Sequence, residues 1–143
     1  MSPEQKMLVK ETWKKVVPIA DTAVHLFYDR LFDADPTTRA LFNSTDLAEQ
    51  RRKLIQVLAS VVRGIDDLEK LLPTLRALGQ RHTRYRVEDR HYDTVGAALL
   101  WTLEQGLGST WTPQAKVAWS EAYAIVANVM RSGAHEPDLA DRQ

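Results

Sequence analysis

The sequence predicts an all-α domain of six or seven helices around one core. Three observations carry that prediction. Every clear apolar pattern in the chain repeats at a spacing near 3.6 residues. No stretch alternates as a strand does, and no Asn-Gly or Asp-Gly pair marks a hairpin. Proline follows a capping residue at Ser2-Pro3, Asp35-Pro36 and Thr112-Pro113, a pairing that opens helices.

Each element follows from its own residues. Ser2 can cap the first helix, with Gln5 completing a capping box. Val9, Trp13, Val16, Ala20, Val24, Phe27 and Leu31 then form one buried face, with Pro18 breaking it into two helices. Tyr28 stands at the edge of that face, four residues before Phe32. A short helix over 36–42 follows Asp35, and Asn43 to Asp46 is a polar break. The next helix carries Leu54, Val57, Leu58, Val61, Val62 and Ile65, with Gln50 one turn ahead on the same face. Gly64 ends it.

The run LLPTLRALGQRH, residues 71–82, places Leu71, Leu75, Leu78 and His82 on one stripe. Gly79 removes a side chain there and admits a close neighbour to the backbone. A later helix has an inner face of Tyr92, Val95, Leu99, Leu103 and Leu107, ended by Gly106 and Gly108. The last helix presents Ala115, Trp119, Ala122, Val126, Val129 and Met130. Residues 132–143 have little to bury and are expected to form a flexible tail behind a domain over 1–131.

Composition narrows the function. At 143 residues the chain is one domain's length and can bury a core without staples. Nineteen basic residues balance 19 acidic ones, which argues against a nucleic-acid or anionic-membrane partner. No uncharged run approaches the roughly 18 residues of a membrane span. With no cysteine there is no disulfide, thiolate metal site or cysteine nucleophile. No secretory signal opens the chain, so a cytoplasmic setting is expected. HExxH, Walker, GxSxG and GxGxxG motifs are all missing, and no carboxylate pair stands out for acid–base work.

Four histidines remain: His25, His82, His91 and His135. None pairs with another at the i, i+4 spacing of a helical zinc site. His91 and His135 are expected in solvent, and His25 partly buried without function. His82 on its inward stripe is either a satisfied core histidine or a ligand. Haem is the metal group that asks for a single protein ligand together with an apolar slot. Tyr28 and Gln50 are inward-leaning polar residues that such a slot could use, or that could simply bond to backbone.

Several runs carry a resemblance: LFYDRLF (26–32), the 36–42 segment ending LFN, EQRRKL (49–54), LLPTLRALGQRH (71–82), HYDTVGAALL (91–100) and AYAIVANV (122–129). In order and spacing the chain resembles the single-domain bacterial haemoglobins and the globin domain of flavohaemoglobins. The resemblance implies a globin fold of six to eight helices holding haem b, protohaem IX with its iron. It implies that His82 is the proximal iron ligand, Phe42 packs on the haem, and Tyr28 and Gln50 are the distal pair that stabilises a bound gas. Leu54 is the apolar distal residue, Tyr92 supports the proximal histidine, and Val95 and Leu99 line the same pocket.

The implied function is reversible binding of O2, and of NO and CO, for oxygen binding or transport. The alternatives are nitric oxide dioxygenation, for NO detoxification, or gas sensing. A haem-free helical interaction domain is the remaining reading. No strand is present to build a reductase, so a dioxygenase would draw on a separate one. The protein is expected as a monomer or homodimer. One departure stands out. The flavohaemoglobin pattern has a proximal glutamate late in the last helix, where this chain has Ala134 in MRSGAHEP, with Glu136 beyond Gly133.

Overall fold

A computed structural model describes residues 1–42, 46–84 and 87–134, and the helices that follow are those of the described residues. Seven α-helices run in order: α1 (Pro3–Val16), α2 (Ala20–Ala34), α3 (Thr37–Ala40), α4 (Leu47–Arg63), α5 (Leu72–Arg84), α6 (Asp89–Leu107) and α7 (Pro113–Ala134). Short 3-10 turns link α1 to α2, α4 to α5 and α6 to α7. There is no strand among the described residues. None of the described helices is long and apolar enough to cross a membrane.

The local signals act as written. Ser2 and Gln5 close a capping box on α1. Pro18 sits in the 3-10 turn of Val17–Ile19, where its missing N–H interrupts the helix. The Asp46 carboxylate accepts from the backbone of Ala48 and Glu49 at the start of α4, and Gly64 caps its end. Thr112 accepts from Ala115 at 3.0 Å to open α7. Gly108, at φ 53, closes α6 in a conformation that side chains resist, while Gly106 lies inside the last turn of that helix rather than ending it.

The core forms where α1, α2, α6 and α7 meet. Val9, Trp13, Val16, Phe27, Leu31, Leu99, Leu103, Leu107, Ala118 and Trp119 are among its buried members, and Val62 of α4 joins them. The Trp119 indole donates to the Thr12 hydroxyl at 2.6 Å, and that hydroxyl donates to the Leu8 carbonyl. A polar pair from α1 and α7 is thus satisfied inside the core. Thr12→Val strands the indole N–H and is expected to cost about 1–3 kcal/mol. A urea melt with an unshifted midpoint would refute that role.

Two histidines differ from expectation. His25 is exposed, with Nδ1 against the Asp21 carbonyl at 2.8 Å. It follows Val24 directly, and one helical step rotates it about 100° off the buried face. His91 is buried, not solvated. Its Nδ1 accepts the Glu88 N–H at 2.9 Å, which draws the ring back over the start of α6. Of the tail expected over 132–143, residues 132–134 continue α7 instead, and 135–143, with His135 and Glu136, lie outside the described residues.

Candidate functional site

Two amphipathic helices, α4 and α5, flank the core and leave part of their apolar faces uncovered. On α4, only Val62 is fully buried, while Leu54, Ile55, Val57, Leu58 and Val61 are half-covered. On α5, Leu75 is buried, but Leu72, Leu78 and His82 are half-covered, as is Leu71 at the end of the 3-10 turn before it. Among the described residues α4 rests on α2 and α1, whereas α5 rests on α7. The main packing partners of the two helices are therefore different. Apolar faces of this size left half-open on neighbouring helices mark a slot, since a helix with nothing to cover would not carry such a stripe.

The position of α5 is set by glycine. At Gly79 a Cβ would fall inside the contact radius of the Met130 carbonyl on α7. At Gly133 on α7 a Cβ would do the same to the Arg76 carbonyl on α5. The helices therefore cross backbone to backbone, one turn before His82. This is the close approach expected at Gly79.

His82 is held by its own helix. Its Nδ1 lies 2.6 Å from the Leu78 carbonyl, so the N–H is on Nδ1 and donates there. Nε2 is left with its lone pair, the tautomer that a metal-ligating histidine needs. Burial pushes the imidazole pKa below its ordinary value, partly offset by the Leu78 bond. The ring is neutral at pH 7 and available as a donor to a metal.

Tyr28, Phe42 and Gln50 are brought together on the α2–α4 side. The Tyr28 ring meets Phe42 edge-on at 5.6 Å and Phe27 at 5.0 Å. Phe32 joins Phe42 at 5.8 Å and completes the aromatic cluster. Burial raises the Tyr28 phenol to about 12, against a hydrogen bond with the Gln50 side chain that lowers it. Tyr28 therefore stays protonated and remains a donor. Leu54 and Leu99 face one narrow apolar crevice, with Trp13, Val24 and Leu58. Val95 packs half-buried against the core.

Tyr92 lies on the α5–α6–α7 side. It is buried and its hydroxyl has no partner among the described residues. Tyr123 donates to its carbonyl, and the Arg131 guanidinium lies 5.1 Å over its ring. Burial raises the Tyr92 phenol, and Arg131 counters it. Arg131 and Tyr123 were not singled out by sequence reasoning. The signal in the chain is a single charge after the run AIVANVM, apolar except for Asn128. Ala134, where the resemblance sought a glutamate, is the last residue of α7.

The globin family model matches residues 25–130, most of the chain. This chain belongs to the globin family. Relatives of this globin include proteins named flavohemoprotein. The one from Bacillus subtilis is 31% identical over 124 residues, 82% of this chain and 31% of its own length. That from Xylella fastidiosa is 32% identical over 132 residues, 91% of this chain and 33% of its own. A third, from Rhodopirellula baltica, is 30% identical over 138 residues, 94% of this chain and 34% of its own. The globin thus spans about a third of the length of these relatives.

Haem is the family's prosthetic group, and the residues present fit it. The α4 and α5 faces offer the apolar walls, His82 offers an unengaged Nε2, and Tyr92 brings a buried hydroxyl without a partner. No group of three or more His, Asp or Glu that could hold a bare metal ion occurs among the described residues. A group that brings its own ligands suits this donor set.

Proposed function

We infer that this globin binds O2 reversibly at a haem held by His82, with Tyr28 and Gln50 as the donors that retain the gas. The observation that carries the reading is the His82 ring itself, its Nδ1 engaged by Leu78 and its Nε2 left for iron, on the half-covered face of α5. The chain has no cysteine for covalent attachment, so the haem of this reading is held non-covalently, as haem b is. Bound, it would supply an iron that takes diatomic gases, O2, NO or CO.

The chain's own residues do the rest. Leu78 fixes the His82 tautomer. Leu54, Phe42, Val95 and Leu99 give apolar contact and exclude water. Tyr28, kept protonated by burial, directs an O–H toward the distal space, and the Gln50 amide is the second donor. A hydrogen bond to a ligand that draws negative charge is worth about 1.5–3 kcal/mol in such a site. Tyr28→Phe is therefore expected to speed O2 release by roughly 10- to 100-fold. Flash photolysis and stopped-flow replacement by CO measure that rate, and an unchanged rate would remove Tyr28 from this role.

The likeness to proteins named flavohemoprotein supports a second reading, nitric oxide dioxygenation with electrons from a separate reductase. Catalytic NO consumption over many turnovers when a flavin reductase and nicotinamide cofactor are added would favour it. Consumption limited to one equivalent of NO per haem would reject it.

A further inference from the structure

The end of α7 carries one charge turned toward the other helices. Arg131 follows Val126, Val129 and Met130, and its side chain is only 28% exposed. Its guanidinium lies 5.1 Å over the Tyr92 ring, a distance at which a cation is attracted to the ring face. Nη2 donates to the Asp89 carbonyl at 3.2 Å and to the Asp93 carboxylate at 3.0 Å. The Nε edge is buried with no partner among the described residues.

This ion pair is oriented. Asp93 is 84% exposed, so water screens its charge, while the cation lies inside against Tyr92. The pair presents its positive end to the interior. The place matters because α5, α6 and α7 converge there. Met130, next to Arg131, touches the backbone of Gly79, one turn before His82. The Val87 N–H donates to the His82 carbonyl at 3.0 Å and leads the chain into α6 and Tyr92. Tyr123 steadies Tyr92 from α7, in the space that Gly96 leaves open.

We propose that Arg131 is a positioning residue of the wall behind His82, which holds the Tyr92 ring and biases a bound haem toward its ferrous state. This rests on the haem reading above. Ferric haem carries one more positive charge than ferrous haem. A cation held inside a poorly screening wall disfavours that extra charge and raises the midpoint potential. A globin biased in this way stays ready for gas binding with less demand on a reductase.

The test is spectroelectrochemical titration of the haem-loaded protein. Arg131→Gln is expected to raise the ferric-to-ferrous ratio at a fixed poise by roughly three- to tenfold, a fall of about 30–60 mV for one electron. Arg131→Lys should stay close to the parent. Asp93→Asn, an exposed change that leaves packing intact, should move the potential upward by removing the outer anion. Opposite signs for Arg131→Gln and Asp93→Asn would establish the charge effect. Equal signs, or no shift in either, would overturn the proposal while the haem reading stands. A parent protein that takes up no haem would overturn both.

Discussion

His82→Ala is expected to abolish stable haem binding. The loss should exceed the roughly 10- to 100-fold in affinity that follows removal of an outer-shell partner of a metal ligand. The reason lies in the donor set. Among the described residues no group of three or more His, Asp or Glu could hold a metal instead, and Tyr28, its phenol raised to about 12, is a poor iron ligand at neutral pH. Haem transfer to apomyoglobin measures the loss directly. His82→Gly with added imidazole is the companion experiment, because a free ring can occupy the vacated space and restore the ligated spectrum. Imidazole should restore haem retention to this variant and leave the parent unchanged. If His82→Ala keeps the parent's ferrous spectrum and its haem, the ligand assignment is wrong.

Gly79→Ala is expected to be the most damaging single-methyl change in the chain. In an ordinary helix interior alanine is favoured over glycine by about 0.8–1 kcal/mol. Here the added carbon meets the Met130 carbonyl of α7, a backbone atom that cannot turn aside. Helix α5 has to move away from α7, and overpacking of that kind costs about 1–3 kcal/mol or more. His82 sits one turn further along and moves with it. The variant should lose stability without haem and also bind haem more weakly. Gly106→Ala is the control, since its new carbon meets only the end of the Ile19 side chain at 3.1 Å. That change should be neutral or mildly stabilising. Urea midpoints for both variants decide the matter, and a neutral Gly79→Ala would mean that the two helices are not in backbone contact.

Much of this was legible in the chain because it depends on neighbours in sequence. The caps at Ser2, Asp46 and Thr112 and the breaks at Pro18 and Gly64 are local chemistry, and they stand where the residues put them. The inward stripe through Leu75 and His82 is likewise a matter of helical period. The misread histidines show the limit. His91 is buried because its ring turns back to accept the Glu88 N–H, and His25 is exposed because one step around α2 carries it off the apolar face. Period alone does not say how far a face is covered. That α4 is left half-open depends on where α2 and α1 stop supporting it. Arg131 was invisible for a related reason, because its neighbours Tyr92 and Asp93 come from another helix.

The crossing of α5 and α7 at Gly79 and Gly133 has a consequence for how the pocket can be adjusted. Where backbone meets backbone, no rotamer remains to vary the spacing, so van der Waals contact of main-chain atoms decides it. The wall that carries His82 behaves as a fixed jaw. Helix α4, the other wall of the proposed pocket, leans on its neighbours through Leu54 and Leu58, whose side chains can repack. It is the adjustable jaw. Substitutions that resize the pocket belong on α4, and the same substitutions on the crossing face of α5 would break the vice instead of resetting it.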